Sequence, residues 1–230
     1  MSRGGRRGRP PRLTADDIGE AVLAVGFDRL TFAAVRDRLG VGESTLFRHA
    51  PDREALVRLG LGRMVELADW PRLEGGWRDV LTAHALCLWE VCRSHPGAAT
   101  QVSPGLIPEA GARIADDLAV FLVDCGFTPE DAVLVCDLVH DLVIDSLRGW
   151  ERLATLPEGT LAHELGAFPA SGASPRRRAV AAARASALGR APVEWFRAKL
   201  GILLDGVALR LAPGQGGPER GDSHGGQAMG

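Results

Sequence analysis

Tyrosine is absent from this chain, and aromatic residues make up only 5% of it. A large flat cavity walled by aromatic rings is therefore not expected. The cysteines Cys87, Cys92, Cys125 and Cys136 include no Cys-x-x-Cys pair, which removes the usual zinc and redox spacings. All sit in apolar helical surroundings, where cysteine serves as a small buried hydrophobe. No stretch reaches 18 uncharged apolar residues, so no membrane span is expected. A Gly/Arg run rather than an apolar segment follows Met1, so no signal peptide is read and a cytoplasmic location is expected. No segment alternates long enough to make a strand. No nucleophile–base pair or cofactor motif stands out, so neither enzyme activity nor a cofactor or metal is expected.

What is present is helix. The chain has 230 residues and is 46% hydrophobic, enough for one or two domains with a proper core. Its formal net charge is only -2, but the charge is unevenly placed. Residues 1–58 hold 11 arginines, no lysine and 8 acids, a net of +3, which leaves -5 for the rest. Arg3, Arg6, Arg7, Arg9 and Arg12 crowd the start. A basic end on a mildly acidic body fits a head that faces nucleic acid. For the first residues, a disordered tail without function is the equal alternative, and residues 1–12 are read as a disordered basic arm.

Helical periodicity begins after Thr14, which caps a first turn holding Asp16 and Asp17. Ile18, Ala21, Val22 and Val25 form its apolar stripe, and Gly26 stops it. Thr31 caps a second helix with Phe32, Val35 and Leu39 inward, ended by Gly40. A third helix is expected over 43–49, and a fourth from Asp52 to near Trp70-Pro71. Further helices are expected over 77–94, 106–124 (bent or interrupted near Pro108 and Gly111), 129–150 and 191–211. Thr128-Pro129-Glu130-Asp131 opens the third of these with a cap, a first-turn proline and two acids. Residues 166–178 read as a mobile loop and 212–230 as a disordered tail. The fold class is all-α.

Two short helices around Gly40-Val41-Gly42 have helix-turn-helix dimensions. Gly40 turns the chain, Val41 plugs the corner and Leu46 lies against the core. The second of these helices offers Ser44, Thr45 and Arg48, with His49 near its end. Such groups reach phosphates or base edges. The plain alternative is a small helical bundle with an ordinary polar surface.

The 47-residue stretch from LTADDIGEAV to REALVRL resembles the DNA-binding head of TetR-type transcriptional regulators. Thr31-Phe32 resembles the family's Thr-aliphatic pair, and Leu39-Gly40-Val41 its turn. Leu46-Phe47-Arg48-His49 resembles its Leu-Tyr-x-His motif, and Arg53-Glu54-Ala55-Leu56 its Lys-Glu-x-Leu. The resemblance implies a three-helix, helix-turn-helix head at 13–60 that binds double-stranded DNA. Glu43, Ser44 and Thr45 would lie in the major groove. Phe47 and His49 would contact phosphate or brace the groove wall, and Arg53 would hold phosphate at a helix N-terminus. Thr31 would cap and touch the backbone. Phe47 departs from the family's tyrosine, Phe32 from a smaller aliphatic residue and Arg53 from lysine. Glu43 either reads a cytosine amine or is simply a first-turn acid.

Residues 61–211 resemble the ligand-binding and dimerisation body of the same family, in the branch near the tetracycline repressor. The resemblance rests on Trp77-Arg78-Asp79-Val80, Ser94-His95-Pro96-Gly97, the Cys125–Ala132 junction and the Phe196–Gly206 run. It implies a homodimer joined by helices near 130–148 and 191–211, with Leu200, Leu203, Leu204, Val207 and Leu211 on the shared face. The alternative is that this stripe only closes the protomer core. A pocket for a small-molecule effector is expected between the helices at 77–94, 106–124 and 129–150. Trp89, Cys92, Phe121, Cys125 and Cys136 are its apolar or soft candidates, and Asp137 and His140 its polar ones. Asp137, Asp141 and Asp145 share one helical face, which suits solvent, a subunit edge or the pocket. His84, His95 and His163 with Glu164 complete the titratable candidates, and no metal site is assigned among them. The function implied is a repressor that leaves a palindromic operator when it binds its effector. The alternative is a structural DNA-binding protein whose body only dimerises.

Overall fold

The computed structural model describes residues 13–102, 106–157, 160 and 174–213. The expected arm at 1–12, most of the expected tail, and His163 with Glu164 lie outside them. The fold is all-α.

Three helices and the start of a fourth make the head. Helix α1 (Ala15–Val25) opens on a reciprocal cap: the Asp17 amide donates to Thr14 Oγ1 (3.1 Å), and the Thr14 amide to Asp17 Oδ2 (2.9 Å). After a 3-10 turn (Phe27–Arg29), Thr31 caps α2 (Phe32–Leu39), accepting from the Ala34 amide at 3.1 Å. Gly40 ends α2 with φ 63°, a left-handed conformation that suits glycine. Helix α3 (Glu43–His49) follows at the expected place, and Asp52 caps α4 (Arg53–Glu66) through the Ala55 amide at 2.8 Å.

Helices α1 and α4 approach closely because glycine faces the seam on both sides. A Cβ at Gly19 would stand 2.6 Å from Arg63 Cβ, and one at Gly60 would stand 2.4 Å from Val22 Cγ1. Arg63 then bridges to α1 through Glu20, with Asp16 and Glu66 nearby. Helix α4 stops at Glu66, short of the expected Trp70-Pro71. Trp70 lies beyond its end and donates its indole N–H to the Val65 carbonyl (2.9 Å), satisfying a helix-end acceptor from outside.

The body comprises α5 (Trp77–Arg93), the short α6 (Ala98–Gln101), α7 (Glu109–Asp124), α8 (Pro129–Ala154), α9 (Pro175–Leu188) and α10 (Pro192–Arg210). Three boundaries correct the sequence reading. Helix α7 starts at Glu109 rather than 106, because Pro108 disfavours helical geometry in the residue before it. Helix α8 runs past 150 to Ala154, its Thr128 cap and Pro129 being as expected. Of the loop expected over 166–178, residues 166–173 lie outside the described residues, and Pro175 opens α9, which Ser174 caps through the Arg177 amide and an alanine-rich run sustains.

The largest correction concerns α10. Leu200, Leu204 and Val207 are buried inside the protomer, and Leu203 and Leu211 pack half-buried beside them. Of the stripe expected at a subunit interface, Leu200, Leu204 and Val207 therefore close the protomer core. Phe196 on the same side stacks on Trp89 of α5, with ring centroids 4.6 Å apart. A second apolar row faces outward: Trp195, Ile202 and Leu209 are 39%, 75% and 70% exposed. Both rows satisfy helical periodicity, so spacing alone could not say which one faces in.

Candidate functional site

The head presents one polar face. On α3, Glu43, Ser44, Arg48 and His49 are exposed and Thr45 is half-buried, while Leu46 and Ala50 anchor the helix in the core. Arg48 Nη2 donates to Thr45 Oγ1 at 3.3 Å, so these two side chains act as one unit on the helix surface. Phe47 is also exposed and stacks face to face on Phe32 of α2, centroids 4.9 Å apart and planes 13° from parallel. The two aromatic departures noted in the sequence are thus a contacting pair. Phe32 supplies the platform, and Phe47 lies flat across it at the edge of α3.

Arg53 begins α4, exposed, and its Nη1 donates to Gln101 Oε1 of α6 at 2.9 Å. A guanidinium expected to meet phosphate is therefore also tied to the body. Helix α6 is in turn fastened to α8. Glu151 accepts from the Gly97 amide (3.0 Å) and the Thr100 hydroxyl (2.6 Å), and Arg148 Nε donates to the Ala99 carbonyl (2.9 Å). Gly97 has φ 85°, and a Cβ there would stand 2.8 Å from the Asp28 amide nitrogen. That close approach seats α6 against the turn at the end of α1.

A cavity of about 290 Å³ lies in the body. The expected helices α5, α7 and α8 wall it, but so does α4, through Leu61, Met64 and Val65. Of the sequence candidates, Cys92, Cys136, Asp137 and His140 line it. Trp89, Phe121 and Cys125 do not: Trp89 is consumed by its stack on Phe196, Phe121 packs against the core and Cys125 caps the end of α7. Sequence reasoning missed Trp70 and His84 as lining residues. Their signal was faint, a histidine inside the apolar stripe of α5 and a tryptophan just past a helix end.

The chemistry of the wall is mostly apolar. Burial pushes the Cys92 thiol up to about 12, with Glu151 adding to the shift, and the Cys136 thiol up to about 11. Neither is a nucleophile at neutral pH. Asp137 is exposed, and of its acidic neighbours Asp141 lies 3.8 Å from His140 Nδ1 and Asp145 3.6 Å from Arg148. Only the first acid of the row lines the cavity. Among the described residues no group of three or more His, Cys, Asp or Glu could hold a metal ion, and no helix is long and apolar enough to cross a membrane.

Comparison with known proteins agrees with this geometry. The family model for bacterial regulatory proteins of the tetR family matches residues 14–59. The HTH-type transcriptional repressor DrrR1 of Streptomyces coeruleorubidus is 28% identical over 150 residues, 62% of this chain; the match spans 55% of that relative's length. Apo ActR from Streptomyces coelicolor superposes with a TM-score of 0.72 at 18% identity, covering 86% of this chain and 96% of ActR. ActR bound to actinorhodin gives 0.71 at 19% identity, covering 85% and 97%.

Proposed function

The chain belongs to the tetR family of bacterial regulatory proteins, and from that premise we propose that it is a homodimeric repressor, released from a palindromic operator when a small molecule fills the body cavity. Members of this family are DNA-binding regulators rather than enzymes. We take 13–60 as the DNA-binding head and 61–211 as the ligand-binding and dimerisation body.

The observation that carries the proposal is the double use of α4. Its first residue, Arg53, stands at the DNA-facing end, and its later turns, Leu61, Met64 and Val65, are cavity wall. The glycine seam fastens α1 to the same helix. An occupant pushing on Met64 or Val65 therefore moves a rod whose other end carries the head. Helix α6 supplies a second link, since Arg53 is bonded to Gln101.

On DNA, Glu43, Ser44 and Thr45 enter the major groove, with Arg48 beside them. His49, Thr31, Phe47 and Arg53 lie along the backbone. Two heads on successive major-groove faces read the halves of one palindrome. The row Trp195, Ile202 and Leu209, recurring every seven residues on the outer side of α10, supports a subunit interface there. ActR, of the same fold, is bound to actinorhodin in one solved structure, which supports a small organic effector here too. Such a ligand needs only a few kcal/mol of differential affinity between the two states.

The test is selection of duplex sites with the purified chain, then fluorescence anisotropy on the recovered site with and without small organic compounds. A palindromic site whose affinity falls at least tenfold with one compound is expected. Recovery of no preferred sequence refutes the operator reading. Affinity that no cavity-binding compound changes leaves a body that only dimerises.

A further inference from the structure

The cavity contains a polar group that the described residues leave unsatisfied. His84 lies on α5, is only 6% exposed and lines the cavity. Its Nε2 lies 3.0 Å from the Pro71 carbonyl oxygen. A carbonyl only accepts, so Nε2 carries the ring proton. Burial holds the ring below the ordinary histidine range, which keeps it neutral. Nδ1 is then a bare acceptor, and it is buried with no hydrogen-bond partner among the described residues.

The ring cannot easily turn away from this arrangement. Trp70 stacks on it, centroids 5.8 Å apart, and the Trp70 indole N–H is already given to the Val65 carbonyl. Other residues of the cavity wall are apolar, Met64, Val65, Ala85 and Leu88 among them. A buried acceptor left without a partner is costly, and a ligand that supplies a donor removes that cost. Near the exposed side, Asp116 and Asp137 also line the cavity.

We propose that His84 Nδ1 is the polar anchor of the effector site, accepting a hydrogen bond from a hydroxyl or N–H group on a largely apolar, uncharged or cationic ligand. This rests on the reading of the cavity as the effector site. A carboxylate offers only acceptors to an acceptor nitrogen and would share the cavity with two exposed aspartates, Asp116 and Asp137. The ligand class is therefore largely apolar compounds bearing a phenol, alcohol or amine, not organic acids.

Three probes of one shape test this on the full-length chain by calorimetry: 2-naphthol, which donates; 2-methoxynaphthalene, which cannot; and 2-naphthoate, which is anionic. 2-Naphthol is expected to bind about tenfold more tightly than the ether, and the carboxylate more weakly than both. In His84→Gln the side-chain amide keeps a donor for Pro71 but leaves no acceptor at the Nδ1 position, so the preference for naphthol falls to about twofold or less. Histidine 15N spectra of the native chain give the same answer without a variant: the His84 Nδ1 signal moves with 2-naphthol and not with the ether. Equal affinities for naphthol and ether, a preference that survives in His84→Gln, an Nδ1 signal indifferent to naphthol, or tightest binding of naphthoate each overturn the assignment of His84 while leaving the cavity as an effector site. Binding of none of the three probes overturns the effector site itself.

Discussion

Gly60→Ala is the sharpest test of how the head is held. In an unobstructed helix this change stabilises by about 1 kcal/mol through propensity. Here the new methyl would stand 2.4 Å from Val22 Cγ1, 3.0 Å from Val22 Cβ and 3.1 Å from Phe27 Cε1. Val22 and Phe27 are fully buried, and a β-branched valine has little rotameric freedom with which to retreat. Relief needs α1 and α4 to part by about 1 Å, since carbon atoms prefer roughly 3.5–4.0 Å. Overpacking of this kind costs about 1–3 kcal/mol, and a wedge between two helix backbones belongs at the upper end. The net loss is then about 2 kcal/mol, or a fall in Tm of roughly 4–8 °C at fixed protomer concentration. Gly62, two residues along the same helix, is the control. A Cβ there meets only Pro108 Cβ at 3.7 Å, an ordinary contact, so Gly62→Ala should raise Tm by a few degrees. Calorimetric scans of the two variants beside the parent decide the matter. A Gly60→Ala chain as stable as the parent would refute the idea that glycine sets the α1–α4 distance.

Phe47→Tyr adds a hydroxyl at the edge of an exposed, stacked ring, and should tighten binding to all duplexes by up to about tenfold, because bonds to charged acceptors are among the stronger ones. Anisotropy on operator and random DNA checks this, and unchanged affinity would put the ring out of reach of the backbone. Arg53→Ala should weaken both DNAs alike and lower the salt slope by about one; an unchanged slope would leave Arg53 only its bond to Gln101. Ile202→Glu should yield monomers in sedimentation with little loss of helix content, whereas Leu204→Ala should cost about 2–5 kcal/mol by denaturation, since it empties protomer core. For His84 the folded value is lowered from 6.5 by burial. The stability gained from keeping the ring neutral is complete above about 6.5 and is lost as pH falls through the lowered folded value. His84→Gln should flatten that limb of the stability profile.

The head was legible in sequence because its signals are local. Thr14, Thr31 and Asp52 each cap the next helix within three residues, and Gly40 turns the chain at the place where its lack of a Cβ is needed. The body was less legible because its facts are distant ones. Leu61, His84 and Ile144 share a cavity although many turns of helix separate them, and no spacing rule links such positions. The inner and outer rows of α10 look alike in sequence, and only packing against α8 tells Leu204 from Ile202. Ser174-Pro175 was a helix-start signal hidden in a segment whose composition reads as loop.

The stack of Phe47 on Phe32 bears on how such heads can be exchanged. A recognition helix is usually thought of as a module to be lifted out and grafted. This one carries a ring whose seat belongs to the preceding helix. Moved alone onto a head with a small aliphatic side chain at the position of Phe32, α3 would arrive with Phe47 unsupported. A working transplant must carry positions 32 and 47 together, so the heritable unit of this head is the pair of helices, not the single helix that faces the groove.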